Sequence, residues 1–137
     1  MIKYCLLTEF PGNTLERIAG FYISAGWISA GDDISFLLPA LQGSFRVAGA
    51  FKDGQIIGIA RVLSDGCSDA YIQDVAVAPE YRGQGIGSGL ISTLTDELHR
   101  CKIDWIALVG EPGTEGFYRK LHWREQPGYV LWKSPEE

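Results

Sequence analysis

The sequence predicts a mixed α/β domain, and three observations carry that prediction. Short apolar runs with strand character alternate with segments whose apolar residues recur at helical spacing. Turn signals such as Asp53-Gly54 and Asp65-Gly66 separate the strand-like runs. Between residues 70 and 109 a strand, a glycine-rich turn, an amphipathic helix and a second strand follow one another. A strand–crossover–strand unit of that kind is parallel and right-handed.

The elements are expected in the following order. "IKYCLL" (2–7) is a short strand, broken by Pro11-Gly12-Asn13-Thr14. Asn13 or Thr14 caps a helix in which Leu15, Ile18, Phe21 and Tyr22 share a face, with Gly26 as its stop. Asp32 or Asp33 caps a second helix, "ISFLLPALQG", whose length Pro39 limits. "SFRVAGAFK" and "QIIGIARVLS" form a hairpin about Asp53-Gly54. "DAYIQDVAVAP" (69–79) is a further strand, residues 87–101 an amphipathic helix and "IDWIALVG" (103–110) a buried strand. Pro112 suits the first turn of a short helix, "PGTEGFYRKL". "GYVLWK" (128–133) is a last strand.

The bulk properties narrow the class. A length of 137 residues fits one domain, residues 1–137, with a real core. Four Trp, six Tyr and six Phe argue against disorder. No apolar run reaches the roughly 18–20 residues that span a bilayer, and the N-terminus lacks a signal-peptide pattern. The expected location is therefore cytoplasmic, with no membrane partner. A net charge of −5 and the lack of a basic patch argue against nucleic acid. Cys5, Cys67 and Cys101 form no CxxC pair and read as reduced, mostly buried thiols. No metal site is expected.

The most informative stretch is "EYRGQGIGSG" (80–89), with glycines at 83, 85, 87 and 89 just where a helix begins. Glycine disfavours a helix by about 1 kcal/mol relative to alanine, so the run needs another reason. A helix N-terminus carries unpaired N–H groups and a positive partial charge, and so attracts anions. Glycines let the backbone approach a phosphate closely, and Arg82 adds a forked cationic donor. The pattern lacks the GK[ST] of a Walker loop. It also fails GxGxxG, since Ser88 and Leu90 occupy the last position from Gly83 and Gly85. What remains is Arg82-x-x-Gly85-x-Gly87, either a phosphate cradle or a glycine turn that binds nothing.

"YIQDVAVAPEYRGQGIGSGLI" resembles the coenzyme A motif of the GNAT superfamily of N-acetyltransferases, R/Q-x-x-G-x-G/A after a strand closed by Pro. "IALVGEPGTEGFYRKLHW" resembles that superfamily's next block, a strand and a helix ending in Phe-Tyr-x-Lys-Leu-Gly-aromatic. Together the two blocks cover residues 70–123. The resemblance implies a mostly antiparallel mixed sheet, flanked by helices, with a splayed parallel strand pair. It implies an acetyl-CoA cosubstrate, a primary amine acceptor and direct attack in a ternary complex. The backbone of Val75, Ala76 and Val77 would bind the pantetheine arm. Arg82 and the amides of Gly83, Gln84, Gly85, Ile86 and Gly87 would hold the pyrophosphate.

Acetyl transfer to an amine has three chemical needs. The amine must lose a proton, the carbonyl oxygen must meet N–H donors as it gains charge, and the departing thiolate must be protonated. Tyr118 falls at the superfamily's general-acid tyrosine. A phenol with a pKa of about 10 suits that task; the other reading is a ring anchored in the core, as expected for Phe117. By the same resemblance, the Val75 N–H is the oxyanion donor. For the base, strand alternation puts Tyr71, Gln73 and Val75 on one face and Asp74 on the other. Tyr71 and Asp74 are catalytic candidates, with Glu111 and Glu115 flanking the next strand's end. His122 replaces the block's usual glycine and is expected in a left-handed conformation.

On the acceptor side, the first two helices are expected to frame the amine. Phe21, Tyr22 and Trp27 offer aromatic faces for an aryl amine or a cation, although such residues are also ordinary core. Gln73 and Glu111 complete the candidate acceptor contacts. The aromatic first helix together with "GEPGTEGFYRKL" is similar to members acting on small aryl-alkylamines. Two other functions stay open: a peptide or protein N-acetyltransferase, and a non-catalytic acyl-CoA-binding module. A homodimer through "GYVLW" is a further expectation.

Overall fold

The computed structural model describes residues 1–136. Its elements are β1 (Ile2–Leu6), α1 (Gly12–Ser24), α2 (Leu37–Gly43), β2 (Arg46–Lys52), β3 (Gln55–Ser64), β4 (Asp69–Val77), α3 (Ile86–Arg100), β5 (Trp105–Leu108) and α4 (Glu115–Lys120). A 3-10 turn at Pro79–Tyr81 precedes α3. The strands form one sheet in the order β1-β2-β3-β4-β5. The first three pairings are antiparallel and β4–β5 is parallel, with α3 as the crossover between them. This is the mixed sheet that the sequence predicts.

The β2–β3 hairpin turns at Asp53 and Gly54, whose φ values are +51° and +77°. A two-residue turn with both central φ positive matches the right-handed twist of the strands, which is why Asp-Gly marks it. On one face of the sheet, Leu90, Leu94 and Leu98 of α3 pack on Ala48, Ala60, Val62 and Ile72. On the other, Ile18, Phe21 and Tyr22 of α1 and Leu37 and Leu41 of α2 cover Val47, Ile59 and Ala76. Spacings of three and four along both long helices build these apolar stripes. Glu97 of α3 accepts from Arg46 of β2 at 2.7 Å and from Arg100 at 2.6 Å. Hydrogen bonds from Arg100 and Arg46 hold its carboxyl down at about 2.

Four local expectations differ from the structure. The helix expected from residue 33 starts at Leu37. Pro39 is its third residue, and a proline is tolerated only in the first turn, where no N–H is required. Asp32 and Asp33 instead accept backbone N–H groups from Ser29 and Ser35 in the preceding turns. α1 starts at Gly12 after Pro11, without a side-chain cap from Asn13 or Thr14. The strand expected at 128–133 does not form, and Tyr129, Val130, Leu131 and Trp132 are largely exposed. Strand propensity needs a partner ladder to be realised. The thiols expected to be buried are not: Cys5 and Cys67 are exposed and Cys101 is half-buried. No helix among the described residues is long and apolar enough to cross a membrane.

Candidate active site

The β4–β5 ladder begins at Asp69–Trp105 and ends at Ile72–Leu108. β4 runs on to Val77, still paired with Gly58 of β3. From Gln73 onward, β4 therefore has no neighbour on the β5 side, and the two parallel strands diverge into a slot. Its walls include Tyr71, Gln73, Asp74, Val75 and Val77 of β4, and Glu111, Phe117 and Tyr118 beyond β5. Trp27, just past α1, and Arg82 also border it.

The four glycines at the start of α3 divide into three kinds. Gly83 and Gly85 have φ of +77° and +81°, and a Cβ on either would meet nothing within 4 Å. They bend the chain and present it to open space. Gly85 is the N-cap of α3, and no side chain caps the helix. The amides of its first turn lack intrahelical acceptors, so the turn offers unpaired N–H donors and the positive end of the helix dipole. Gly87 lies 3.6 Å from the Phe117 ring by its would-be Cβ. Gly89 has a different task. A Cβ there would overlap the Tyr4 ring, so Gly89 admits the β1 side chain against α3. Gly89→Ala should therefore displace the Tyr4 ring yet change the affinity for acetyl-CoA, the cosubstrate that the sequence leads one to expect, by less than about twofold, because Gly89 lies past the exposed first-turn amides. Calorimetric titration checks this.

Arg82 Nε donates to the Val77 carbonyl at 3.2 Å. The guanidinium is thereby tethered beside the glycine turn, and among the described residues its terminal nitrogens make no hydrogen bond. Ile86 contributes only backbone, since its side chain is buried under the sheet. The same holds for Ala76, whose methyl faces α1 and α2.

Tyr118 is half-buried. Its ring meets Phe117 and Trp123 edge-on, with centroids 5.0 and 6.1 Å away. Burial, and then the Glu111 carboxylate, raise the phenol above its ordinary pKa. Glu111 accepts from Trp27 Nε1 at 3.3 Å, and among the described residues no cation lies within ion-pair distance of it. Trp27 meets the Tyr22 ring edge-on at 5.1 Å. The slot thus joins a phenol, a carboxylate without a cation and an indole at one end to a cationic, amide-rich turn at the other.

Several candidates occupy other positions than expected. Phe21 is core, at 3% exposure. Tyr22 is buried too, and its hydroxyl donates to Asp74 Oδ2 at 2.8 Å. Neither offers a free face to an acceptor, and Trp27 alone of the three lines the slot. Phe117, expected in the core, borders the slot and is 39% exposed. Asp74 Oδ2 also accepts from Arg61 Nε at 2.7 Å, a poor arrangement for a proton-abstracting base. Glu115 lines an adjoining groove with Trp105, His122 and Trp123, which shares Glu111 and Tyr118 with the slot but does not place Glu115 on the slot's own wall. His122 has the expected left-handed backbone, φ +69°.

The expected alternation along β4 also fails. Gln73 pairs with Arg61 and Ala76 with Ile59, so Asp74 and Val75 share the place opposite Ala60. That extra residue is a β-bulge, and it reverses parity. Val75 and Val77 pack toward α3, whereas Asp74 reaches Tyr22 of α1. A strand of nine residues with no glycine carries no clear bulge signal, so alternation could not find it.

The profile of the family described as "Acetyltransferase (GNAT) domain" matches residues 43–125. "Uncharacterized N-acetyltransferase ycf52" of Pyropia yezoensis is 35% identical over 111 residues, covering 78% of this chain and 63% of that relative. "Serotonin N-acetyltransferase 2, chloroplastic" of Oryza sativa subsp. japonica is 35% identical over 88 residues, 61% of this chain and 44% of that one. "Histone acetyltransferase TAP1" of Glycine max is 34% identical over 105 residues, 69% and 46% of the two chains. The chain thus spans less than two thirds of the length of each of these relatives. Among solved structures, the GNAT family acetyltransferase SP0256 of Streptococcus pneumoniae TIGR4 superposes with a TM-score of 0.78 at 26% identity, covering 98% of this chain and 99% of its own.

Proposed function

Since the chain belongs to the GNAT acetyltransferase family, we propose that it transfers an acetyl group from acetyl-CoA to a primary amine of a small molecule, by direct attack in a ternary complex. In this reading residues 1–137 form one transferase domain acting in the cytoplasm. The observation that carries it is the slot itself, with an uncapped helix N-terminus at one end and a half-buried phenol beside a carboxylate at the other. The donor set fits the proposed cosubstrate: left-handed glycines and free amides suit a pyrophosphate, and Arg82 adds matching charge. Acetyl-CoA, when bound, supplies the activated thioester. The amides of Gly83 to Gly87 and Arg82 hold its phosphates, while the β4 backbone of Val75 and Val77 aligns its arm. The Val75 N–H faces the carbonyl oxygen as charge grows on it. Tyr118 Oη delivers a proton to the departing sulfur.

On the acceptor side Glu111 receives the amine. Among the described residues its carboxylate has no cation to balance it, so an ammonium satisfies it, and the Trp27 ring lies within the same wall. Glu111, directly or through water, then takes the proton that frees the nitrogen lone pair; Tyr71 and Gln73 border the same space. The relative named for serotonin favours an aryl-alkylamine. The relative named for histones favours a lysine-bearing peptide as the second reading. Release of free thiol from acetyl-CoA across aryl-alkylamines, polyamines, amino sugars and short lysine peptides tests both. Small amines should be turned over with kcat/KM at least about tenfold above peptides. Faster turnover of the peptides would replace the first reading by the second. No release with any acceptor, while acetyl-CoA binds, would leave a binding module.

A further inference from the structure

Asp74 is the one residue among those described that has positive φ inside a strand; the other non-glycine residues with positive φ, Asp53, Lys102 and His122, lie in turns or at helix ends. Its φ is +55°. The left-handed region is uncommon for a non-glycine residue, although aspartate tolerates it better than most, and inside a strand its surroundings must hold it there. They do so through one oxygen. Asp74 Oδ2 accepts from Arg61 Nε at 2.7 Å and from Tyr22 Oη at 2.8 Å. Arg61 is anchored in turn, its Nη1 donating to Ser44 Oγ at 3.4 Å, and Ser44 Oγ donating to the Ala40 carbonyl of α2 at 2.7 Å. The Tyr22 ring then meets Trp27, whose indole donates to Glu111. A continuous chain of contacts thus joins α2, β3, the bulge of β4 and α1 to the carboxylate on the far wall of the slot. The bulge begins at Asp74, two residues beyond the last β4–β5 pair, where the slot opens.

We infer that Asp74, with Arg61 and Tyr22, is a positioning lock: it fixes the bulge that turns Val75 into the slot's floor and holds Trp27 and Glu111 at the distance that an acceptor amine requires. Asp74 is not the base; its role is exerted through Val75 and Trp27. The kinetic part of this inference rests on the acetyl-transfer reading above, whereas the structural part does not.

Three variants separate the possibilities. Asp74→Asn keeps a carbonyl acceptor and tolerates left-handed φ. Asp74→Gly relieves the backbone but removes the acceptor, and Asp74→Ala does neither. The readouts are kcat and KM for the amine, the pH profile, acetyl-CoA affinity, and the Trp27 indole N–H resonance, assigned with Trp27→Phe. The lock predicts that Ala and Gly lower kcat/KM for the amine by about 30-fold or more. Acetyl-CoA affinity should stay within about fivefold, because the phosphate turn lies elsewhere. The Trp27 indole resonance should move although Asp74 does not touch Trp27. Asn should restore most of the activity, the original pH profile and the indole position. Loss of activity in Asn equal to that in Ala, with one limb of the pH profile gone, would make Asp74 the base and overturn the inference. An unchanged indole resonance and turnover in Ala would overturn it too. Should Ala fail to fold, Tyr22→Phe keeps the ring and removes one strut, and must shift the indole resonance and raise the KM for the amine. If the wild type acetylates no amine, the transfer reading falls, while the indole resonance still decides the lock.

Discussion

Gly85→Val should cost at least about 100-fold in acetyl-CoA affinity, or roughly 2.7 kcal/mol, and leave a folded protein. Gly85 has φ +81°, and its missing Cβ would meet no atom within 4 Å. The fold therefore loses only backbone strain, about 1–2 kcal/mol, somewhat more for a branched side chain. That lowers the melting temperature by several degrees, on the order of 3–8 °C for a domain of this size. Binding loses far more. Gly85 is the N-cap of α3, so a shift toward ordinary dihedrals re-aims the amides at the helix start, and the added methyl groups stand where a phosphate must approach. Titration calorimetry beside circular dichroism separates the two effects. A folded variant with undiminished affinity would refute the cradle.

Tyr118→Phe should lower kcat by about 100-fold or more while acetyl-CoA affinity changes by less than about threefold. The phenyl ring keeps the packing on Phe117 and Trp123; only the hydroxyl and its proton are lost. The pH dependence adds a check. Burial and Glu111 raise the Tyr118 pKa above the ordinary value of about 10. A raised pKa keeps the acid protonated to higher pH, so the alkaline limb of kcat lies above pH 10, where Tyr118 ionises. Glu111→Gln removes one of the two causes and should move that limb downward. Equal turnover in wild type and Tyr118→Phe would remove Tyr118 from the chemistry.

Legibility in the sequence followed the range of the interactions. The Asp53-Gly54 hairpin, the left-handed His122 and the amphipathic α3 were readable because each depends on the dihedral preference or spacing of adjacent residues. The glycine run was readable as a turn, yet its division of labour was not. Nothing in "RGQGIGSG" tells that Gly85 faces open space while Gly89 makes room for Tyr4, eighty-five positions away. Phe21 and Trp27 are both aromatic residues near one helix, and only packing separates a core ring from a slot-lining one. The 128–133 segment has the composition of a strand, but composition supplies no partner.

From the sequence alone came the order of strands and helices, save the last, the parallel crossover through α3 and the glycine turn with exposed amides at its start. These rest on local periodicity and on backbone groups that every helix N-terminus exposes. Tertiary structure alone decided which side chains share the slot. The bulge at Asp74 reversed the faces of β4, Arg61 and Tyr22 claimed the carboxylate that looked like a base, and Glu111 was left without a cation. Such outcomes depend on contacts between residues dozens of positions apart, and one inserted residue in a strand, invisible to a period of two, moves every side chain after it to the opposite face.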